Sequence, residues 1–208
     1  MIMPIPHRIS WIDSVRGFCM IAILYFHTEI YYTNTTIIPY SMYVVNALVM
    51  FFFISGFLFY KENNFHIKKK IKSIFRSLIK PYFIFTAIIS IPKTMVHGEN
   101  IEMINIIKQI LLGHASWFIA ALIIAEFIFS IILYVSKEKT SIIIVSSCIL
   151  FCIGLSFNHT DLLIPWHAHI AALSVLFIAS GYLYHRFNHL FCHYTNSFTF
   201  VLALVVLV

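Results

Sequence analysis

The chain has 208 residues, 61% of them hydrophobic and only 11% charged, with a formal net charge of +6. A soluble domain is about 45–50% apolar and about 25% charged, so this composition excludes an ordinary globular protein. It also excludes a disordered chain, because 21 Phe and 11 Tyr cannot all remain solvated. A mean hydropathy of +0.90 is that of a polytopic membrane protein.

Apolar runs predict an all-α transmembrane bundle with spans over residues 14–32, 42–60, 81–96, 117–135, 141–157 and 170–184. A seventh run begins at Phe198 and stops at Val208, well short of the roughly 20 residues needed to cross a bilayer. The sequence therefore reads as six complete spans plus a truncated seventh, a single domain over 9–208 that is incomplete at its C-terminus. Lys and Arg in short loops are retained on the cytoplasmic side. A cytoplasmic N-terminus puts twelve of the fourteen there, leaving only Lys93 and Lys108 outside. The positive charge is thus a topological signal. With no separate basic domain, it does not indicate nucleic-acid binding.

The segment 61–80 carries seven basic residues, with Phe65, Ile67, Ile71, Ile74, Phe75 and Leu78 interleaved. That pattern predicts an interfacial helix on anionic headgroups, or a site for an anionic cytosolic cosubstrate. Ionisable groups within spans are expensive and mark functional positions. The first span holds Arg16, His27 and Glu29. Arg16 and His27 are eleven residues apart, three helical turns, so they share a face about 16 Å apart. Glu126 lies in the middle of the fourth span, where a carboxyl must be protonated, paired or facing a wet cavity. Ser55 and Gly56 permit close helix approach. His167 and His169 form a weak metal-ligand pattern, and no metal is expected.

In their order along the chain these residues resemble the acyltransferase-3 family of integral membrane acyltransferases. Trp11-Ile12-Asp13-Ser14-Val15-Arg16-Gly17 followed by His27 resembles the family's opening, in which a His follows the Arg by eleven positions. Phe53-Ile54-Ser55-Gly56-Phe57 is similar to its second-span signature, and Arg76 to Tyr82 to its basic segment ending in Pro-Tyr. Trp117-Phe118-Ile119 with Leu122 and Glu126 resembles the start of a later span in sugar O-acetyltransferases of the family, and Ser180-Gly181-Tyr182 the close of another. The basic segment departs from the family's Arg-x-x-Arg: here Arg76 and Lys80 are separated by three residues, and Lys lacks the bidentate guanidinium contact.

The resemblance implies transfer of an acyl group, commonly acetyl, from acetyl-CoA or another acyl-CoA to a hydroxyl of a carbohydrate or lipid-linked glycan. It also implies a bacterial inner membrane and contact with its lipids. His27 is expected to be the base, or alternatively a covalent acyl carrier. Arg16 is expected to orient the donor or bind its phosphates. Arg76, Lys80, the Lys68–Lys72 run including Lys72, and Trp117 are expected at the donor site, with Glu126 fixing His27. A proton-coupled permease for a small solute fits the composition equally well, but the ordered motifs favour the enzyme.

Overall fold

The computed structural model describes residues 9–33, 35–61, 65–96, 103–158 and 164–191. Among them the elements are α1 (Ser10–Thr33), α2 (Tyr40–Phe59), α3 (Ile67–Ile74), a π-helical turn (Phe75–Ile79), α4 (Lys80–Val96), α5 (Met103–Leu111), α6 (Trp117–Ser136), α7 (Thr140–Asn158), a 3-10 turn (Pro165–His167) and α8 (Ala168–Phe191). Five helices are long and apolar enough to cross a membrane: Tyr40–Phe59, Ile67–Ser90, Trp117–Ser136, Thr140–Phe157 and Pro165–Phe187. At 24 residues α1 has the length, about 36 Å, but Asp13, Arg16, His27 and Glu29 lower its hydropathy below the other five. The run from Phe198 lies outside the described residues.

One expectation is corrected. The basic segment and the third span form one helix, rather than an interfacial helix followed by a span beginning at Pro81. Pro81 has no N–H and normally breaks a helix interior. The π turn just before it absorbs the disruption: Lys80 N–H bonds back five residues to the Phe75 carbonyl. The apolar runs give no sign of α5, nine residues with apolar and polar positions interleaved, which follows a polar run and is too short to register as a span. It is tied to α4 by Tyr82, whose hydroxyl donates to the Ile110 carbonyl at 2.9 Å.

Ring contacts fix the helix directions. Trp11–Phe57 (5.2 Å) and Phe26–Tyr40 (4.8 Å) make α1 and α2 an antiparallel hairpin. Phe52–Phe118 (5.3 Å) and Phe59–Phe129 (5.2 Å) run α2 and α6 in the same direction. The core gathers α2, α6 and α8 around Phe52, Phe59, Phe129, Val175, Ile178 and Tyr182, with Ala121, Ala125, Ala171 and Ala179 letting backbones approach. At the α2–α8 crossing, a Cβ built on Gly56 would fall on the Ile178 carbonyl, and one on Gly181 on the Phe53 carbonyl. The two glycine motifs singled out in sequence thus face one another, each needed for the same contact.

At one end of the bundle a turn fastens three elements. Lys137 and Glu138 take left-handed backbone angles (φ 48° and 62°) between α6 and α7. The Glu138 carboxylate accepts the Phe65 N–H at 2.9 Å and the Tyr182 hydroxyl at 3.2 Å. Arg186 donates to the Glu138 carbonyl. The loop entering α3 is thereby anchored to the α6–α7 turn and to α8.

Candidate active site

A cavity of about 1210 Å³ lies between α1, α2, α3 and α6. Each helix contributes a stripe at helical spacing, as a wall of a shared cavity requires. From α1 the stripe is Arg16, Met20, Ile23 and His27, and from α2 it includes Tyr40, Val44, Leu48, Phe51 and Ser55. From α3 and the π turn it is Lys69, Ser73 and Ser77, joined by Lys70, and from α6 it is Ile119, Leu122 and Glu126. The Arg16–His27 spacing therefore does what its periodicity predicts: both side chains face one space. Arg16 is half-buried, whereas His27 is exposed, its imidazole 5.6 Å from the Phe26 ring.

The cavity is polar at both ends and aromatic between them. One end holds Lys61, His66, Lys69, Glu138 and Tyr182, and the other His27, Tyr40 and His114. Trp117 lines the wall, 37% exposed, at the first turn of α6. Lys72, Arg76 and Lys80 do not reach the cavity. They recur every fourth residue on a different stripe of the same helix and are exposed. Successive residues are rotated by about 100°, so Lys72 diverges from Ser73, which faces the cavity.

Glu126 is bound differently from expectation. Its Oε1 accepts a hydrogen bond from Ser55 Oγ at 2.5 Å, and its Oε2 meets Lys70 Nζ at 3.1 Å. Lys70 Nζ also sits 3.4 Å from the centre of the Phe59 ring. Both carboxylate oxygens are committed, so Glu126 braces α6 to α2 and α3 rather than orienting His27. Sequence reasoning pointed to Lys70 only as one of a basic run. Lys70 and Glu126 are 56 positions apart, and no local pattern links them.

A second polar group was missed at the His27 end. His114, in the loop before α6, lies with its Nδ1 3.3 Å from His167 Nε2. Among the described residues no three His, Cys, Asp or Glu side chains converge as metal ligands.

Taken together, the arrangement offers an exposed imidazole and a guanidinium on one wall, a cationic end, and an apolar passage between. That set can bind an anionic molecule at one end and remove a proton at the other. No curated protein and no solved structure matches the chain. The family model described as an acyltransferase domain matches residues 9–208. This integral membrane chain belongs to the acyltransferase-3 family.

Proposed function

We propose that the protein is a membrane O-acyltransferase that moves an acyl group, acetyl in the first instance, from acyl-CoA to a hydroxyl of a carbohydrate or glycolipid. The observation that carries this reading is the single cavity lined by both Arg16 and His27, with lysines at one end. The Lys and Arg distribution favours a cytoplasmic N-terminus, in a bacterial inner membrane, with the lysine-bearing end facing the cytosol. There Lys61 and Lys69, beside the Lys70–Glu126 pair, meet the phosphates of the donor, and Lys72, Arg76 and Lys80 add positive potential at the adjoining membrane surface. The pantetheine arm follows the apolar passage past Trp117 and Arg16. His27 takes the acceptor's proton as the hydroxyl attacks the thioester. Arg16 stands about 16 Å along the same face, suited to holding the donor rather than the acceptor.

The test is incubation of membranes containing the protein with radiolabelled acetyl-CoA and glycan acceptors. Label should appear in glycan with the wild type and be lost with His27→Ala, while the variant still inserts in the membrane. Full incorporation by His27→Ala would refute the assignment of the base. Solute flux without incorporation would favour a permease instead.

A further inference from the structure

His114 and His167 are 53 positions apart in sequence, yet their ring nitrogens lie 3.3 Å apart, so one imidazole donates and the other accepts. Only His114 lines the cavity, and His167 is partly exposed outside it. The contact joins His114 Nδ1 to His167 Nε2, which leaves His114 Nε2 and His167 Nδ1 as the outer nitrogens of the pair.

Considerable local structure is spent on this contact. Trp166 and His167 adopt left-handed angles (φ 57° and 51°), which cost about 1–2 kcal/mol for each L-residue. Such strain persists where the surroundings enforce it, and it clusters at functional sites. Here Trp166 N–H donates to the Leu112 carbonyl at 2.9 Å, and the indole packs 5.6 Å from the Tyr82 ring. Gly113 has φ 81°, and a Cβ there would come within 2.9 Å of Trp166 Cα. The loop bearing His114 and the turn bearing His167 are therefore clamped face to face.

The proposed acyl transfer gives this pair a task. The hydroxyl oxygen forms a bond to the acyl carbon, the carbon–sulfur bond breaks, and the thiolate leaves with the bonding electrons. The hydroxyl proton goes to His27, and the thiolate takes a proton from the donor side. His27 then has to lose its proton at the acceptor end before another turnover. We propose that His114 and His167 form a two-imidazole relay that carries this proton out of the cavity. Resting on the acyltransferase reading, the relay runs as follows. His114 Nε2 accepts the proton from the cavity, its Nδ1–H passes to His167 Nε2, and His167 releases its Nδ1 proton on the far side. Rotation of the rings restores the starting tautomers.

The titratable groups around the pair are His169 of α8, its ring 6.1 Å from that of His167, and Tyr82 of α4. The Tyr82 hydroxyl is already donated to Ile110. Across the cavity stand His27 and Tyr40. His27 is the proton source in this scheme.

Two measurements on the full chain in lipid nanodiscs test the relay. Nitrogen-15 histidine NMR should show a scalar coupling between His114 Nδ1 and His167 Nε2 across their shared hydrogen bond. His167→Ala should abolish that coupling. Absence of the coupling in the wild type overturns the relay, whether or not the protein transfers acyl groups. In the acyl-transfer assay, His167→Ala should lower kcat by roughly 100-fold in weakly buffered medium, with both KM values unchanged. Added imidazole should restore it. His114→Gln, which retains a hydrogen-bonding side chain but cannot carry the proton, should be equally slow. A raised acceptor KM without imidazole rescue would overturn the relay in favour of a binding role. A coupled pair in a wild type that acylates nothing would defeat the acyltransferase reading and the relay with it, whereas an uncoupled pair in an active enzyme would overturn the relay alone.

Discussion

Replacing Lys70 by Met strands Glu126. The two charges lie 3.1 Å apart, worth about 5 kcal/mol of attraction at an effective dielectric constant of about 20. Removing one partner of a well-buried pair costs about 3–5 kcal/mol, mostly because the remaining charge is uncompensated. Here the side chains are 21% and 10% exposed and open to the cavity, so solvent screening reduces the loss to about 2–3 kcal/mol. Glu126→Gln should be milder, about 1–2 kcal/mol, because Lys70 keeps its place over the Phe59 ring. The double variant should be more stable than the sum of the single losses, with a coupling of at least about 1 kcal/mol. Thermal unfolding in detergent micelles, followed by fluorescence-detected size exclusion, measures this. At about 2–4 °C per kcal/mol, Lys70→Met should lower Tm by about 4–12 °C. Losses in the double variant that merely add, within about 0.5 kcal/mol, would refute the claim that this ion pair braces the cavity.

Two further stability predictions follow from the packing. Gly56→Ala and Gly181→Ala each push a methyl into a backbone carbonyl and should destabilise the bundle by about 1–3 kcal/mol or more, whereas Gly17→Ala, with open space around its Cβ, should be neutral or stabilising by up to about 1 kcal/mol. Equal Tm values for the three variants would contradict the crossing geometry. Tyr82→Phe removes the hydrogen bond to Ile110 and should cost about 1 kcal/mol, with faster amide exchange in α5 as the specific signature. Unchanged exchange there would show that α5 is held by other contacts.

The membrane class, five of the helices and the shared face of Arg16 and His27 were legible because each rests on a local pattern: apolar run length or helical period. The value of Gly56 was legible for the same reason, since a small residue inside an apolar run has few uses other than close approach. What escaped was set by tertiary structure. Pro81 reads as a helix start, and nothing in the sequence announces the π turn that lets the helix continue through it. Lys72, Arg76 and Lys80 could not be separated from Lys69 and Lys70 by residue type, only by helical phase against a neighbour. The Lys70–Glu126 and His114–His167 contacts join residues more than fifty positions apart, where one sequence carries no pairing information.

The π turn carries a consequence for how this family member tolerates insertions and deletions. A π turn holds one residue more than the α-helical path it replaces, and each α-helical residue contributes about 100° of rotation. Deleting one residue within Phe75–Ile79 would relax the turn to that α-helical path and keep Ile67–Ile74 close to its present phase relative to α4, whereas one more residue inserted there would exceed what the turn absorbs and spin Ile67–Ile74 by about 100°. After such an insertion every hydrophobic residue would survive and the span would remain long enough, yet Lys70 would swing away from Glu126 and the lysines would leave the cavity. A single-codon deletion there should be tolerated, whereas a single-codon insertion should silence the protein without unfolding it, the mark of a chain whose electrostatics depend on a backbone count.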